Sequence, residues 1–333
     1  MTDTSPVCFF ADLMDDGALR PLTGEVVTAG RQLADALGTS LVAVVLSSNG
    51  SGATDISGFN GVDRVVDVRN DALLPYTSGA WSSAASVILA ELKPVAVLFP
   101  GSISGRDYSP RVAARANAQM VADVSALSVN DGRLTVYRSV LGGRVQTAIQ
   151  FSPDAFPMMT VRPGAFPRAE RSAEHVPVEE FALDPEALDL RATVTGITAH
   201  KIATGQSLAD AKRIVSGGRG LQGPDAFAML EELAEVMDAA VGASGAVVGA
   251  GWRSHDDQVG STGHTVTPKL YLAVGISGAP QHLVGMQGSE YVVAINRDPD
   301  APIFDIASFG IVGDLFEVVP ALIQEFKDSA AAD

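Results

Sequence analysis

Residues Ser40-Leu-Val-Ala-Val-Val-Leu46 form an almost unbroken apolar run. A strand with one wet face alternates apolar and polar residues, so a run without polar alternates belongs to a strand covered on both faces. Asp63 to Val68 and Val95 to Phe99 repeat the signal, and Val7 to Leu13 opens the chain with it. Helix-spaced stretches lie between these runs. Gly24 to Leu37 puts Val27, Leu33, Ala34 and Leu37 on one side, and Ala80 to Leu92 is similar. Strands separated by helices specify βαβ units and hence a parallel sheet.

The pattern changes at Asp123. From there to Phe151, strand runs surround Asn130-Asp131-Gly132, a tight-turn signal, and Leu141-Gly142-Gly143-Arg144. These are expected to add antiparallel strands to the first sheet. Pro153, Pro157, Pro163, Pro167 and Pro177 then punctuate the chain, which ends this half in the acidic segment Glu179 to Asp189. A linker is expected at 193–206, separating an N-terminal domain, 1–192, from a C-terminal domain, 207–333. Strand signals return at Arg213 to Ser216, Ala246 to Val248, Leu270 to Gly275, Tyr291 to Asn296 and Phe309 to Val312. Helices are expected over Asp225 to Ala240, Gln281 to Met286 and Leu315 to Lys327. The fold class is therefore α/β, with two domains, each on a mostly parallel sheet flanked by helices, the second doubly wound.

The charge balance narrows the function. Lys and Arg number 23 against 39 Asp and Glu, a net charge of −16. So acidic a surface argues against nucleic acid and against anionic membranes, both of which call for clustered cations. Cys8 is the one cysteine, which excludes an internal disulfide and a thiolate metal site. A reducing, cytoplasmic setting is expected. The start, Met1-Thr2-Asp3-Thr4-Ser5, lacks the pattern of a signal or transit peptide, and no apolar run is long enough to insert in a membrane. The histidines 175, 200, 255 and 264 show no metal-ligand spacing.

In an open parallel sheet, ligands bind beyond the carboxyl ends of the strands. In the second half, glycines and small polar residues gather there: Ser216-Gly-Gly-Arg-Gly220, Gly242-Ala-Ser-Gly245, Gly275-Ile-Ser-Gly278, Asn296-Arg-Asp-Pro299 and Gly313-Asp314, with the loop Val259-Gly-Ser-Thr-Gly263 among them. Glycine lets backbone N–H groups approach a phosphate closely. Several such loops at one edge point to a large anionic ligand, most plausibly a dinucleotide. Gly218-Arg-Gly-Leu-Gln-Gly223 formally fits a dinucleotide fingerprint. The acidic residue that should end the next strand is missing, however, because Glu235 and Asp238 fall in an expected helix. An ordinary strand-to-helix turn is the plain alternative.

Longer stretches are more specific. Leu270-Tyr-Leu-Ala-Val-Gly-Ile-Ser-Gly-Ala-Pro-Gln-His-Leu283, Ala294-Ile-Asn-Arg-Asp-Pro299 with Ala301-Pro-Ile-Phe304, and Gly313-Asp-Leu-Phe-Glu-Val-Val-Pro320 resemble the α subunit of electron transfer flavoproteins. Ser216-Gly-Gly-Arg-Gly-Leu221 and, more loosely, Ser109-Pro-Arg-Val-Ala-Ala114 join them. The resemblance implies FAD held by the C-terminal domain and a β subunit completing a heterodimer, with the N-terminal domain as scaffold and subunit interface. It further implies electrons taken from flavin dehydrogenases and passed singly to a quinone reductase or another acceptor. The residues implied in cofactor binding are Arg219, Ser244, Val259, Gly260, Ser261, Thr262, Ser277, Gly278, Ala279, Pro280, Gln281, His282, Asn296, Asp314 and Leu315. Among them, Arg219, Ser244, Ser277, Gly278 and Asn296 would hold the pyrophosphate and adjoining sugar, and Asp314 the adenosine side. Thr262 would face the flavin N5 region, and His282 would donate to O2, where reduction places negative charge.

Two positions depart from the family. Gly245 stands where the family commonly has arginine over the flavin ring, and Ser261 where it commonly has glutamine. A missing guanidinium should lower the flavin potential, unless Arg253 reaches back to replace it. The departure also gives weight to another class of function, a nucleotide-binding structural or regulatory module without redox turnover. A hydrolytic enzyme is disfavoured, since no nucleophile–base pair stands out.

Overall fold

The computed structural model describes residues 5–14, 17–50, 52–140, 145–196, 207–208 and 211–330. The run Leu141 to Arg144, His200 and most of the expected linker lie outside these residues. The chain divides into two compact units, Met1–Thr198 and Ala199–Asp333.

The strands of unit 1 are β1 (Val7–Phe10), β2 (Leu41–Ser47), β3 (Arg64–Arg69), β4 (Ala96–Pro100), β5 (Gln119–Val124), β6 (Ala126–Asn130), β7 (Arg133–Val140), β8 (Val145–Gln150), β9 (Pro157–Val161) and β10 (Val178–Ala182). Its helices are α1 (Leu22–Leu37), α2 (Ala53–Ser57), α3 (Ser78–Leu92) and α4 (Ile103–Arg115). Seven strands form one sheet in the order β10-β3-β2-β1-β4-β9-β5, every neighbouring pair parallel. The unbroken apolar runs are explained residue by residue. Val7, Phe9, Leu41, Ala43 and Val45 face Val26, Val27 and Leu33 of α1. Cys8, Phe10, Val42, Val44 and Leu46 face Trp81, Ile88 and Val112 of α3 and α4. With two buried faces, each such side chain contributes about 1.5–3 kcal/mol of burial.

Two expectations need correcting here. The antiparallel strands do not extend the first sheet; β6, β7 and β8 form a sheet of their own. The chain leaves the parallel sheet where the β5–β9 register shifts between Val121 and Val124, with Asp123 at φ 66. The turn signal itself holds, because Asp131 and Gly132 take φ 50 and 73 between β6 and β7. The proline-punctuated stretch, for which no strand was expected, supplies one. Pro157 opens β9, which lies inside the sheet between β4 and β5, with Met158 and Met159 fully buried. Proline is tolerated there as the first residue of the strand.

Unit 2 adds β11 (Arg213–Gly217), β12 (Ala240–Ser244), β13 (Gln258–Val259), β14 (Leu270–Val274), β15 (Tyr291–Asn296) and β16 (Phe309–Val312), with α5 (Phe227–Val236), α6 (Gly245–Gly249), α7 (Pro280–Leu283) and α8 (Leu315–Ala330). The sheet is parallel throughout, in the order β13-β12-β11-β14-β15-β16. Its order reverses between β11 and β14, the arrangement that opens a crevice at their carboxyl ends. One face packs on α5 and α8. The other carries Ile214, Tyr271, Ala273 and Ala294 under Val259, Ile276, Met286 and Ile303. The expected strand Ala246 to Val248 is instead part of α6, and the strand is Ala240–Ser244. Small residues fill that strand, so the Val247-Val248 pair outweighed it in a reading by β-branching. Among the described residues, no helix is long and apolar enough to cross a membrane.

Candidate functional site

The crevice beyond β11 and β14 is built from two loops pressed backbone to backbone. Gly218 N–H donates to the Val274 carbonyl at 2.9 Å, and Gly220 N–H to the Gly275 carbonyl at 3.0 Å. A Cβ on Gly218 would lie 2.2 Å from the Gly275 oxygen, and one on Gly220 2.7 Å from the Gly275 Cα. These two glycines therefore serve loop-on-loop contact rather than baring their N–H groups. The bare donors lie one step on. Among the described residues, the N–H groups of Ser277, Gly278 and Ala279 donate to nothing in the protein. Gly278 sits at φ +88 with its prospective Cβ 2.3 Å from the Ile303 nitrogen. Ile303 N–H in turn donates to the Ser277 carbonyl at 3.1 Å, pinning the loop from below. Three successive unpaired N–H groups are a concave anion site in outline.

The other expected residues lie at or just after the carboxyl ends of strands of the same sheet. Arg219 is exposed, and its guanidinium has no carboxylate partner among the described residues. Asn296 spends its amide within the chain: Nδ2 donates to the Ile276 carbonyl at 2.9 Å, and Oδ1 accepts from Asp298 N–H at 3.0 Å. It shapes the loop instead of facing it. Asp314 Oδ1 accepts from Phe316 N–H at 2.9 Å, ahead of α8, and Leu315 packs toward Gly275. Ser244 ends β12 in register with Val259. The Val259 to Gly263 loop leans on α7, with Ser261 N–H donating to the Gln281 carbonyl at 2.8 Å. A Cβ at Gly260 would meet that carbonyl at 2.9 Å. Ser261 and Thr262 are exposed; Ala279, Pro280 and Gln281 carry the chain into α7.

His282 is different. It is 5% exposed, and both ring nitrogens have partners: Nδ1 lies 3.0 Å from the Val259 carbonyl and Nε2 3.0 Å from the Tyr271 hydroxyl. Burial pulls its pKa down to about 4, the Val259 carbonyl pulling weakly the other way. Burial also drives the Tyr271 phenol up. The expected role of a donor to an outside acceptor meets an imidazole already engaged on both sides. Sequence reasoning missed Tyr271, whose signal was a polar-tipped aromatic inside an apolar strand. It also missed Gln258, 7% exposed, whose Nε2 donates to Thr262 Oγ1 at 2.8 Å.

The two family departures are now located. Gly245 opens α6 in an exposed position, where a Cβ would meet nothing nearer than Gln258 at 3.7 Å. Arg253 does not stand in for the absent arginine. Its guanidinium is held by Glu231 and by Asp257 at 2.9 Å, and lies over the Phe227 ring at 5.1 Å. At the opposite, amino edge of the sheet, a cavity of about 460 Å³ is lined by Lys212, Lys269, Tyr291 and Phe309 among others. It contains none of the expected site residues.

Comparison with known proteins identifies the family. Residues 7–186 match the model of the electron transfer flavoprotein domain, and residues 207–287 that of the electron transfer flavoprotein FAD-binding domain. The chain is 42% identical to the electron transfer flavoprotein subunit alpha of Thermoanaerobacterium thermosaccharolyticum over 98% of this chain and 99% of that one. It is 38% identical to the subunit alpha of Bacillus subtilis over 94% of each. Protein FixB of Clostridium saccharobutylicum is 37% identical over 100% of this chain and 99% of that one. The chain belongs to the electron transfer flavoprotein α-subunit family.

Proposed function

We propose that the β11–β14 crevice holds FAD and that the chain pairs with a β subunit to carry electrons. In this reading it takes them from flavin dehydrogenases and hands them singly to a quinone reductase or another acceptor. The observation that carries the reading is the run of three N–H groups at Ser277, Gly278 and Ala279 that are unpaired among the described residues, with the exposed Arg219 on the loop whose Gly220 N–H bonds Gly275. A pyrophosphate asks for such a set, with neutral donors at close range and a forked cation. Among the described residues no carboxylate hydrogen-bonds to any of these groups, so the residues fit the ligand.

Each remaining residue has a part in that reading. Ser244 offers a hydroxyl to the pyrophosphate or sugar. Asn296 acts through the loop it props, and Asp314 keeps its second oxygen for the adenosine side. Thr262, steadied by Gln258, presents its side chain toward the flavin edge. Gly260 and Leu315 set backbone spacing, while Val259 and Gln281 fix the loop to α7 through their carbonyls. Bound FAD supplies the one-electron chemistry that no side chain here provides. Unit 1 is a scaffold for the partner subunit. Burial raises the Cys8 thiol to about 12 and leaves it inert.

Co-expression with the β subunit, an absorption spectrum and chromatography of the released flavin test the reading together. A yellow complex carrying FAD is expected. A complex that stays colourless after addition of FAD contradicts it. Dithionite titration also separates the alternative, a nucleotide-binding module without redox turnover: a complex with no flavin colour to titrate supports the module.

A further inference from the structure

The loop that carries Thr262 is closed at its base by backbone. Gln258 and Val259 pair with Ala243 and Ser244 of β12. The Gln258 carbonyl accepts from His264 N–H at 2.7 Å, and Gly260 N–H donates to the His264 carbonyl at 3.1 Å. A Cβ at Gly263 would meet the Gln258 oxygen at 2.3 Å, so glycine is what lets the chain turn back so closely. Among the described residues, one side-chain bond crosses this closed loop. Gln258 Nε2 donates to Thr262 Oγ1 at 2.8 Å, from a side chain only 7% exposed. A hydroxyl has one hydrogen to give and lone pairs to receive with. The amide fills a lone pair, and among the described residues the Thr262 hydroxyl donates to no group of the chain. Its hydrogen is left for something outside, on a residue that is itself exposed.

We propose that Gln258 sets the polarity of Thr262: by donating to Oγ1 it turns the hydroxyl hydrogen outward, so that the loop selects a ligand with an acceptor atom at that place. The inference rests on the FAD reading above, in which the acceptor is N5 of the oxidised ring. Gln258 is a positioning residue, acting on the ring through Thr262. The distinction has chemical content because a threonine can face a ligand either way round. A carboxylate in place of the amide can only accept, so the hydroxyl hydrogen would turn inward and leave lone pairs outside. Glutamate keeps the length and shape of glutamine, and the exchange therefore separates polarity from packing. Gly245 backs the amide without crowding it, since even a Cβ there would stay 3.7 Å from Gln258 Cδ.

The test compares two ligands in fluorescence titrations of the flavin-stripped complex with the β subunit: FAD and 5-deaza-FAD, whose ring has C–H in place of N5 and accepts nothing there. Wild type should bind FAD more tightly by roughly 2- to 10-fold, the value of one hydrogen bond. Thr262→Val should bring that ratio to about one. Gln258→Met, which removes the inward donor, and Gln258→Glu above neutral pH should both lower it toward one. The added charge of the second weakens both ligands together and cancels in the ratio. Lowering the pH should restore the preference in Gln258→Glu, because a protonated carboxyl can again donate to Oγ1. A glutamine that merely packs would change both affinities alike and leave the ratio unmoved. A wild-type ratio of one, or a ratio that survives both Gln258 substitutions, overturns the proposal. A second arm needs no flavin. In the nitrogen-edited spectrum of the stripped complex, the Gln258 side-chain amide, assigned from the signal lost in Gln258→Met, should shift in Thr262→Val. A signal that stays put overturns the bond itself. If it shifts while wild type binds neither flavin, it is the cofactor reading that has failed.

Discussion

Both sheets reverse their strand order between the first strand and the fourth, at β1/β4 in unit 1 and at β11/β14 in unit 2. The fold therefore makes the same opening twice. In unit 1 the chain beyond β1 carries Asp12, 2% exposed, whose Oδ1 accepts from Ser104 at 3.5 Å and whose N–H donates to Thr23 Oγ1 at 3.0 Å. Gly101 and Gly105 there are pressed on the carbonyls of Val161 and Pro100. In unit 2, among the described residues, the corresponding edge has no buried carboxylate, and Ser277 to Ala279 leave three donors unpaired. A phosphate would meet the buried Asp12 carboxylate, 3.9 Å from Arg20 Nε, at the first opening and bare N–H groups at the second. A shared topology thus supplies the crevice, and the loop chemistry decides which one binds.

The largest effect expected from breaking this contrast comes from Gly278→Val. At φ +88, with Ile303 behind it, the new side chain must displace the loop, at a cost of about 3 kcal/mol or more. Hydrogen exchange should show protection lost in unit 2 and kept in unit 1. Equal loss in both would mean that the two are not separate cooperative units.

The units should also respond to pH with opposite sign. Burial raises the Glu25 carboxyl of unit 1 to about 7, against the opposing bond from Gly164 N–H. Between its ordinary value and 7 the native state binds the extra proton, so unit 1 loses stability as pH rises through that window. His282 in unit 2 titrates near 4, below its ordinary value, so there the unfolded state binds the extra proton. Unit 2 therefore gains stability as pH rises from about 4 toward 6.5. Each shift corresponds to up to about 3 kcal/mol. Exchange measured unit by unit across pH 4 to 7 should give crossing profiles, flattened by Glu25→Gln and His282→Gln respectively. Parallel profiles would contradict the assignment.

Ser277→Asp makes unit 2 resemble unit 1 by placing a carboxylate among the bare donors. FAD affinity should fall by roughly 10- to 100-fold, the value of one or two charge-assisted bonds, with the thermal transition unmoved. The smallest effect is a tuning one. Gly245→Arg has room for its Cβ and should raise the flavin potential by tens of millivolts, since a nearby guanidinium is worth about 1.5–3 kcal/mol to a reduced, negatively charged ring. An unchanged potential in redox titration would remove the proposed reason for this chain's departure from the family.

Much of this was legible in the sequence where side chains act through burial alone. The runs at 7–13 and 40–46 each yield a strand with two covered faces, Val7–Phe10 and Leu41–Ser47, the first run leaving the sheet after Phe10. Legibility ended where backbone geometry took over. Ala240–Ser244 was hidden by small residues, and β9 by its opening proline and two methionines, although all are buried in their sheets. The glycines at 218 and 220 marked the right loops for an incomplete reason, because their use in loop-on-loop packing depends on a partner 55 residues away in the Gly220–Gly275 pair. The sequence placed His282 in the site, but its proton is set by a carbonyl and a phenol 23 and 11 residues away. No local pattern encodes that.

The most direct test of the central claim is an equilibrium FAD titration of the stripped complex, comparing Ser277→Asp with Ser104→Asp, its counterpart at the edge of unit 1. The account predicts one FAD per chain in wild type, binding reduced at least tenfold by the first substitution and untouched by the second. Binding insensitive to Ser277→Asp but lost in Ser104→Asp would contradict it.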